Sequence, residues 1–264
     1  MPWATRGLRD GVITTRWPQR PDEYGDGLAG TIDITSAEAD DRDTDRAIDA
    51  CPTEAIYRGV DGNLRLDRGR CILCGRCPLI APHTFTWRYG SDVAGFTRRS
   101  IVVGEHVETE ETLREVRADL AARVRRLRRS VHLRHIDTGS DGSDEWEVQA
   151  LTNPVYDLHR LGLFFTASPR HADILLVTGL GAHGMTAALR ATFDAMPDPI
   201  VVIATGVDAI SGGIVGTGYA VSGGIGGLLD VDVWVPGSPA SPFAILHGIL
   251  LALDRLPDRT ETRR

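Results

Sequence analysis

The stretch "CILCGRC", Cys71 to Cys77, sets three thiols at every third position, and this spacing constrains the chain more than any other feature in it. Separations of two residues bring successive sulfurs onto one side of a tight loop, within reach of a common centre. One further cysteine, Cys51, stands upstream and is followed by Pro52. Thiols this closely spaced favour metal binding over disulfide staples, and four of them make a full ligand set.

The triplet continues as "PLIAP", so Ala81 stands where a Cys-x2-Cys-x2-Cys-x3-Cys-Pro motif would place its last cysteine. Where two such motifs occur, the cysteine before proline ligates the other cluster. The partner of Cys71, Cys74 and Cys77 is therefore sought in Cys51-Pro52. Aligning the two segments sets Cys51 over Ala81, and Asp41, Thr44 and Ala47 over the three cysteines. One site keeps four thiolates and the other loses all four. Between them, "AIYRGVDGNLRLD" carries the turn signal Asp61-Gly62 between short alternating apolar stretches, which predicts a hairpin. From Ile32 to Trp87 the chain resembles the bacterial 2[4Fe-4S] ferredoxin family, in a form that retains one cluster. The resemblance implies one [4Fe-4S] cluster on Cys51, Cys71, Cys74 and Cys77. Tetrahedral zinc also takes four cysteines and is the alternative, although zinc ribbons usually pair two Cys-x2-Cys hairpins.

At 264 residues the chain suits two domains. The N-terminal part and the part beyond Ser130 read differently. A formal net charge of −7 argues against nucleic-acid binding, which wants a basic face to release counterions. With no apolar run of about 18 residues and no charged-then-apolar leader, neither a membrane span nor a signal peptide is expected. The expected location is cytoplasmic. No Arg or Lys occurs between Arg190 and Arg255, which suggests a face buried in the fold or against a partner.

"EETLREVRADLAARVRRLRRS", Glu110 to Ser130, spaces Leu113, Val116, Leu120, Val124 and Leu127 at three and four residues, predicting an amphipathic helix. Acidic residues open it and arginines close it, matching the helix dipole. The basic run Arg123 to Arg129 is read either as a solvated helix end or as a docking patch.

Beyond it, "VHLRHI", "LGLFFTA", "DILLVTG", "PIVVIATG" and "VDVWVPG" alternate with helical stretches near Glu147 to Leu151, Met185 to Met196 and Pro242 to Leu253. This predicts a parallel, doubly wound sheet with function at the carboxyl ends of its strands. In "TGLGAHGM", Gly179, Gly181 and Gly184 form G-x-G-x-x-G. It reads either as a dinucleotide turn or as a tight strand-to-helix turn, and no clear acidic residue ends the next strand. Nine glycines in residues 206 to 227, without a G-K-[ST] ending, suggest a long loop packed under a partner rather than a phosphate cradle.

The segments "NPVYDLHRLGLFFTASPRHADILLVTG", "GGIVGTGYAV" and "VPGSPASPFAILHGILLAL" resemble the family containing the B-type component of NADH:quinone oxidoreductase and the small subunits of energy-converting NiFe hydrogenases, with the hydrogenase lineage nearer. The opening "GLRDGVITTRWP" is similar to ferredoxin-type subunits of such complexes. The resemblance covers Leu133 to Leu253 and implies a flavodoxin-like α/β domain whose cluster hands on electrons. The family's ligand loops are G-S-C-x-x-C-x-x-E, G-x-C-A and P-G-C-P. Here they read Gly139 to Glu147, Gly206 to Ala209 and Pro236 to Pro239, so Asp141, Asp144, Asp208 and Ser238 replace the four cysteines. In the quinone-reducing branch Ser143 takes the place of Asp141. Carboxylates are too hard to hold an iron–sulfur cubane. The emptied pocket is read as relaxed and solvated, or as holding a hard cation such as Mg²⁺, Ca²⁺ or Mn²⁺.

Residues 1–105 are thus expected to form an α+β ferredoxin-like domain, 106–130 a linker helix, 131–256 the α/β domain, and 257–264 a disordered tail. The chain is expected to be an iron–sulfur electron-transfer subunit of a complex-I-like or hydrogenase-like oxidoreductase complex, not an enzyme alone. Its partners would be a large NiFe-type subunit or that subunit's complex-I counterpart, and other subunits, with membrane contact on the inner face only through them. The alternative is a non-redox scaffold in a related complex.

Overall fold

The computed structural model describes residues 3–36, 42–104, 110–125, 127 and 130–256. Asp41, Arg126, Arg128, Arg129 and the tail 257–264 lie outside the described residues.

The N-terminal half begins with helices α1 (Trp3–Asp10) and α2 (Glu23–Gly27) and strand β1 (Ala29–Ile34). Asp22 caps α2, its carboxylate accepting from the Tyr24 and Gly25 amides, which satisfies donors left over at a helix start. Helix α3 (Arg42–Asp49), strands β2 (Ile56–Arg58) and β3 (Leu64–Asp67), helix α4 (Arg76–Ile80) and strands β4 (Phe85–Tyr89) and β5 (Val102–Val103) follow. The predicted hairpin forms: Ile56 pairs with Leu66 and Arg58 with Leu64, and Gly62 takes the positive φ of +79° that its turn requires. Strand β5 adds to β3, and β1 pairs antiparallel with β4. Between the two small sheets lies a core of its own, built on Ile32, Ile56, Leu64, Leu66 and Phe85 together with Cys71 and Cys77.

Helix α5 (Glu110–Val124) ends before the expected Ser130. Its apolar stripe docks Leu120 and Val124 into the core of the C-terminal domain, with Leu127 packed beside them. Arg117 pairs with Asp254 at 2.7 Å and Arg123 with Asp232 at 2.5 Å. The start of the basic run is thus tied at the surface to Asp232 of the same chain rather than presented as a free patch.

The remaining elements are β6 (Val131–Asp137), α6 (Ser143–Ala150), β7 (Leu163–Phe165), β8 (Ile174–Thr178), α7 (Thr186–Asp194), β9 (Val201–Thr205), α8 (Gly206–Ser211), β10 (Val233–Val235) and α9 (Pro242–Ala252). Five parallel strands run in the order β10-β9-β8-β6-β7. Alternation along the strands divides their side chains between two layers. Val131, Leu133, Ile174, Leu176, Val201, Ile203, Val233 and Val235 face α5, α6 and α9. Ile136, Leu175, Val177, Val202, Ala204 and Trp234 face α7 and α8. Burial on both sides explains the unbroken apolar runs "ILLV" and "VVIA", each such side chain contributing about 1.5–3 kcal/mol. The stretch without Arg or Lys supplies β9, α8, β10 and α9, which are mostly buried, and the loop after α8, which is mostly not.

The two halves are stitched together. Gly95 and Trp234 exchange backbone hydrogen bonds at 3.0 and 2.8 Å, and Gly69 lies against Ile210 of α8. Near the N-terminus, Thr15 donates its amide to Val155 at 2.8 Å, while Trp17 enters the α9 layer and meets the Phe243 ring edge-on at 5.6 Å.

Candidate functional site

Cys51 follows α3, Cys71 follows the turn after β3, and Cys77 sits in the first turn of α4. Left-handed backbone at Leu73 (φ +54°) and Gly75 (φ +73°) folds the loop between them. The edge of Trp87 closes on Gly75, 3.2 Å from where a Cβ would stand. All four cysteines line one cavity, walled by Ile32, Ala47, Ala55, Ile56, Leu66 and Ile72. Cys71 and Cys77 are buried, Cys51 half-buried and Cys74 exposed. The Ala55 amide donates to Cys51 Sγ at 3.3 Å. Burial first, then the nearby Cys71, Cys74 and Cys51, pushes the Cys77 thiol up to about 12. Burial pushes Cys71 up to about 11, opposed by the Leu73 backbone and reinforced by Cys51 and Cys74. The four sulfurs are therefore near enough to feel one another's charge. Among the described residues no group of three or more His, Cys, Asp or Glu is drawn tightly enough together to be assigned a metal ion. The donor set itself is wholly soft sulfur in an apolar wall. A bound cation would reverse the thiol shifts, since coordination deprotonates a thiol outright.

Of the positions that would serve a second cluster here, the described ones, Thr44, Ala47 and Ala81, are buried. Thr44 and Thr84 share a hydrogen bond at 2.9 Å in the interior, and Ala47 and Ala81 pack against Phe85 in the lobe's core.

In the C-terminal domain, Asp141, Asp144, Asp208 and Ser238 lie in loops and first helical turns at the carboxyl end of the sheet. Asp144, in the first turn of α6, is only 3% exposed. Its Oδ1 accepts from the Ala240 amide at 2.9 Å, and its carboxylate rests on Gly206 at the β9–α8 junction. Burial raises it to about 7; the Ala240 hydrogen bond opposes this, and Asp208, Glu145 and Asp141 add to it. Asp208 of α8 is raised by burial, then by Asp141 and Glu145. Asp141 is lowered, because the Ser143 hydroxyl and amide both donate to it, at 2.6 and 2.9 Å. Ser238 lies in the loop between β10 and α9. Of the pocket expected from sequence to be solvated or to hold a hard cation, Asp141 is exposed, whereas Asp144 sits in the interior, because the sheet, α6 and the Ala240 loop close over it.

Gly206 illustrates how tightly the pocket is built. Its φ is +83°, and an added Cβ would stand 2.0 Å from an Asp144 oxygen. A Gly206→Ala protein is expected to lose at least about 1–3 kcal/mol from backbone strain alone, measurable as a lowered denaturation midpoint with unchanged slope.

Sequence inspection missed the polar side chains around this pocket. Ser140 donates to Glu145 at 2.6 Å, Thr178 donates to the other Glu145 oxygen, and His135 lies 3.0 Å from Thr178. The signal was a threonine ending each central apolar run, Thr178 and Thr205. The G-x-G-x-x-G stretch is the tight turn: Gly179 and Gly181 take positive φ, and a Cβ at Gly181 would meet the Gly224 carbonyl at 2.5 Å.

A family described as NADH ubiquinone oxidoreductase, 20 Kd subunit, matches residues 142–252. That segment contains Asp144, Asp208 and Ser238, while the cysteines lie outside it. Formate hydrogenlyase subunit 7 of Escherichia coli (strain K12) is 34% identical over 154 residues, 58% of this chain and 59% of that protein. The B-type component of NADH-quinone oxidoreductase from Geotalea daltonii is 41% identical over 110 residues, 42% of this chain and 64% of that protein. The chain thus spans less than two thirds of the length of either. The probable membrane-bound hydrogenase subunit mbhJ of Pyrococcus furiosus is 38% identical over 128 residues, 48% of this chain and 77% of that protein. With so much of a relative covered, and a five-stranded parallel sheet beneath the matched segment, the chain thus belongs to the family of the NADH ubiquinone oxidoreductase 20 Kd subunit.

Proposed function

We propose that this chain is an electron-transfer subunit of a complex-I-like or membrane-bound-hydrogenase-like assembly, carrying one [4Fe-4S] cluster on Cys51, Cys71, Cys74 and Cys77. The observation that carries this reading is the gathering of all four cysteines around one cavity, while Thr44, Thr84, Ala47 and Ala81 fill the neighbouring site. A cluster bound there supplies single-electron exchange. The protein's own part is to wall it with apolar side chains, leave Cys74 at the surface and hold the lobe against α8. The position that in this family passes electrons to quinone or to the NiFe centre has lost its thiolates here, so the chain's redox capacity rests with the cysteine lobe.

The C-terminal domain is then the docking half, turned toward a large NiFe-type subunit or its complex-I counterpart. Among the described residues no helix is long and apolar enough to cross a membrane, and in this reading the chain sits peripherally, through its partners. Anaerobic purification with iron and sulfide counting and EPR tests the proposal. About four irons per chain are expected. About eight would place a cluster in the acidic pocket, and none would sink the ferredoxin reading.

A further inference from the structure

Two sites in this chain stand where relatives' patterns place cysteine ligands, and their described residues have been refilled differently. In the cysteine lobe the described replacements, Thr44, Ala47 and Ala81, simply pack, and the fourth, Asp41, lies outside the described residues. At the end of the large sheet three of the four replacements are carboxylates, exposed at Asp141, half-buried at Asp208 and buried at Asp144, while the fourth, Ser238, is exposed. Asp144 is 3% exposed, with Asp208 half-buried near it and Asp141 and Glu145 adding their charge. The loop that covers Asp144, Gly237 to Ala240, brings a backbone amide and no titratable side chain. Among the described residues no Arg forms an ion pair with any of the four. A buried carboxylate such as Asp144, with acidic neighbours and no counter-ion, must take something positive.

Glu145 connects this pocket to the outside. Thr178 donates its hydroxyl proton to Glu145, so the 3.0 Å contact between His135 Nε2 and Thr178 Oγ1 must have the imidazole as donor, because a hydroxyl has one proton to give. The chain His135, Thr178, Glu145 therefore points one way, inward. His135 lines an open cleft together with Trp146, Gln149, Asn153 and Phe165. A second observation lies on the adjacent strand. Thr205 ends β9 as Thr178 ends β8, and strand alternation sets both on the α6 side of the sheet. Thr205 is fully buried, and its hydroxyl has no hydrogen-bond partner among the described residues. A neutral carboxyl in this pocket would be a donor in need of such an acceptor.

We propose that the acidic pocket is a proton-loading site, in which Asp144 and Asp208 hold a proton delivered from solvent along His135, Thr178 and Glu145. One transfer moves one proton at each link. A hydronium ion in the cleft gives a proton to His135 Nδ1 and leaves as water, the Nε2 proton passes to Thr178 Oγ1, and the threonine's own proton passes to Glu145 and on to the aspartates. No electron moves, and the pocket gains a single positive charge.

The whole chain, purified anaerobically, is the test object. Infrared difference spectra between pH 8 and pH 6 are expected to show a protonated carboxyl in the native protein that is missing in Asp144→Asn, with about one proton fewer taken up by the variant. After a pH jump, His135→Phe and Thr178→Val are expected to slow uptake by about 100-fold or more, the lower end of what a positioned transfer group supplies, without changing its extent. Thr178→Ser is expected to restore the rate, which a merely structural threonine would not require. Three results would overturn the proposal: an ionised Asp144 at pH 6, unchanged uptake rates in both relay variants, or stoichiometric Mn²⁺ binding that Asp144→Asn abolishes. Iron content plays no part in these readouts, so the electron-transfer proposal can fail without affecting them.

Discussion

Replacing Cys77 with alanine is expected to empty the N-terminal lobe of iron, from about four atoms per chain to fewer than about one. Loss of a hydrogen-bond partner behind a ligand costs about 10–100-fold in metal affinity, and loss of the ligand itself costs at least as much. The same outcome is expected for Cys51→Ala, although Cys51 lies 20 residues before the triplet, because both sulfurs line one cavity. The discriminating control is Ala81→Cys. It rebuilds the sequence motif in full, yet Thr44 and Ala47 offer the second site no sulfur, and Ala81 is packed against Phe85. This variant is expected to gain no iron and to lose about 1–3 kcal/mol of stability through overpacking. Iron counting on the three purified variants decides the matter. A Cys51→Ala protein that still held four irons would break the ligand assignment.

Asp144→Asn is expected to stabilise the protein at alkaline pH and to flatten its dependence on pH. In the folded state Asp144 is raised to about 7, against an unfolded value near 3.9. The folded state therefore binds the proton more tightly than the unfolded state, and stability falls as pH rises from about 4 to about 7. By pH 8 the loss amounts to about 2–4 kcal/mol. Asparagine keeps an oxygen for the Ala240 amide and carries no charge to bury, so the variant escapes that loss. Asp208, also raised, leaves a residual slope. Urea denaturation at pH 5 and pH 8 measures the difference; parallel profiles for the two proteins would show that Asp144 does not titrate in this window.

Much of the C-terminal sheet could be read from the sequence because its strands are buried on both faces and so appear as unbroken apolar runs. "DILLVTG" and "PIVVIATG" contain β8 and β9 whole, with one or two residues to spare at each end. The hairpin at Asp61-Gly62 was equally plain, since its turn requires a glycine at positive φ. Helix α5 was placed but overextended: arginines prolong a helical pattern, yet the backbone leaves the helix at Val124, where Leu127 turns into the core. The pairing of β1 with β4 joins segments more than fifty residues apart, and no local pattern announces it. The cysteines were legible by spacing alone. The aspartates were legible as substitutions, but not as buried groups, because whether a polar loop is solvated depends on what closes over it. Here that lid is the Ala240 loop, a long way down the sequence. The same applies to Glu145, whose partners come from the preceding loop and two strands.

The position of Trp17 bears on how the protein is made. Its place is against Phe243, which Tyr156 also meets edge-on, near the far end of the sequence, whereas every member of the cysteine lobe's core lies between Ile32 and Val103. During synthesis that lobe has all its parts long before Phe243 leaves the ribosome, and domains generally fold as units in that order. The cysteine lobe is thus able to close while the opening segment is still waiting for the helix that will hold it.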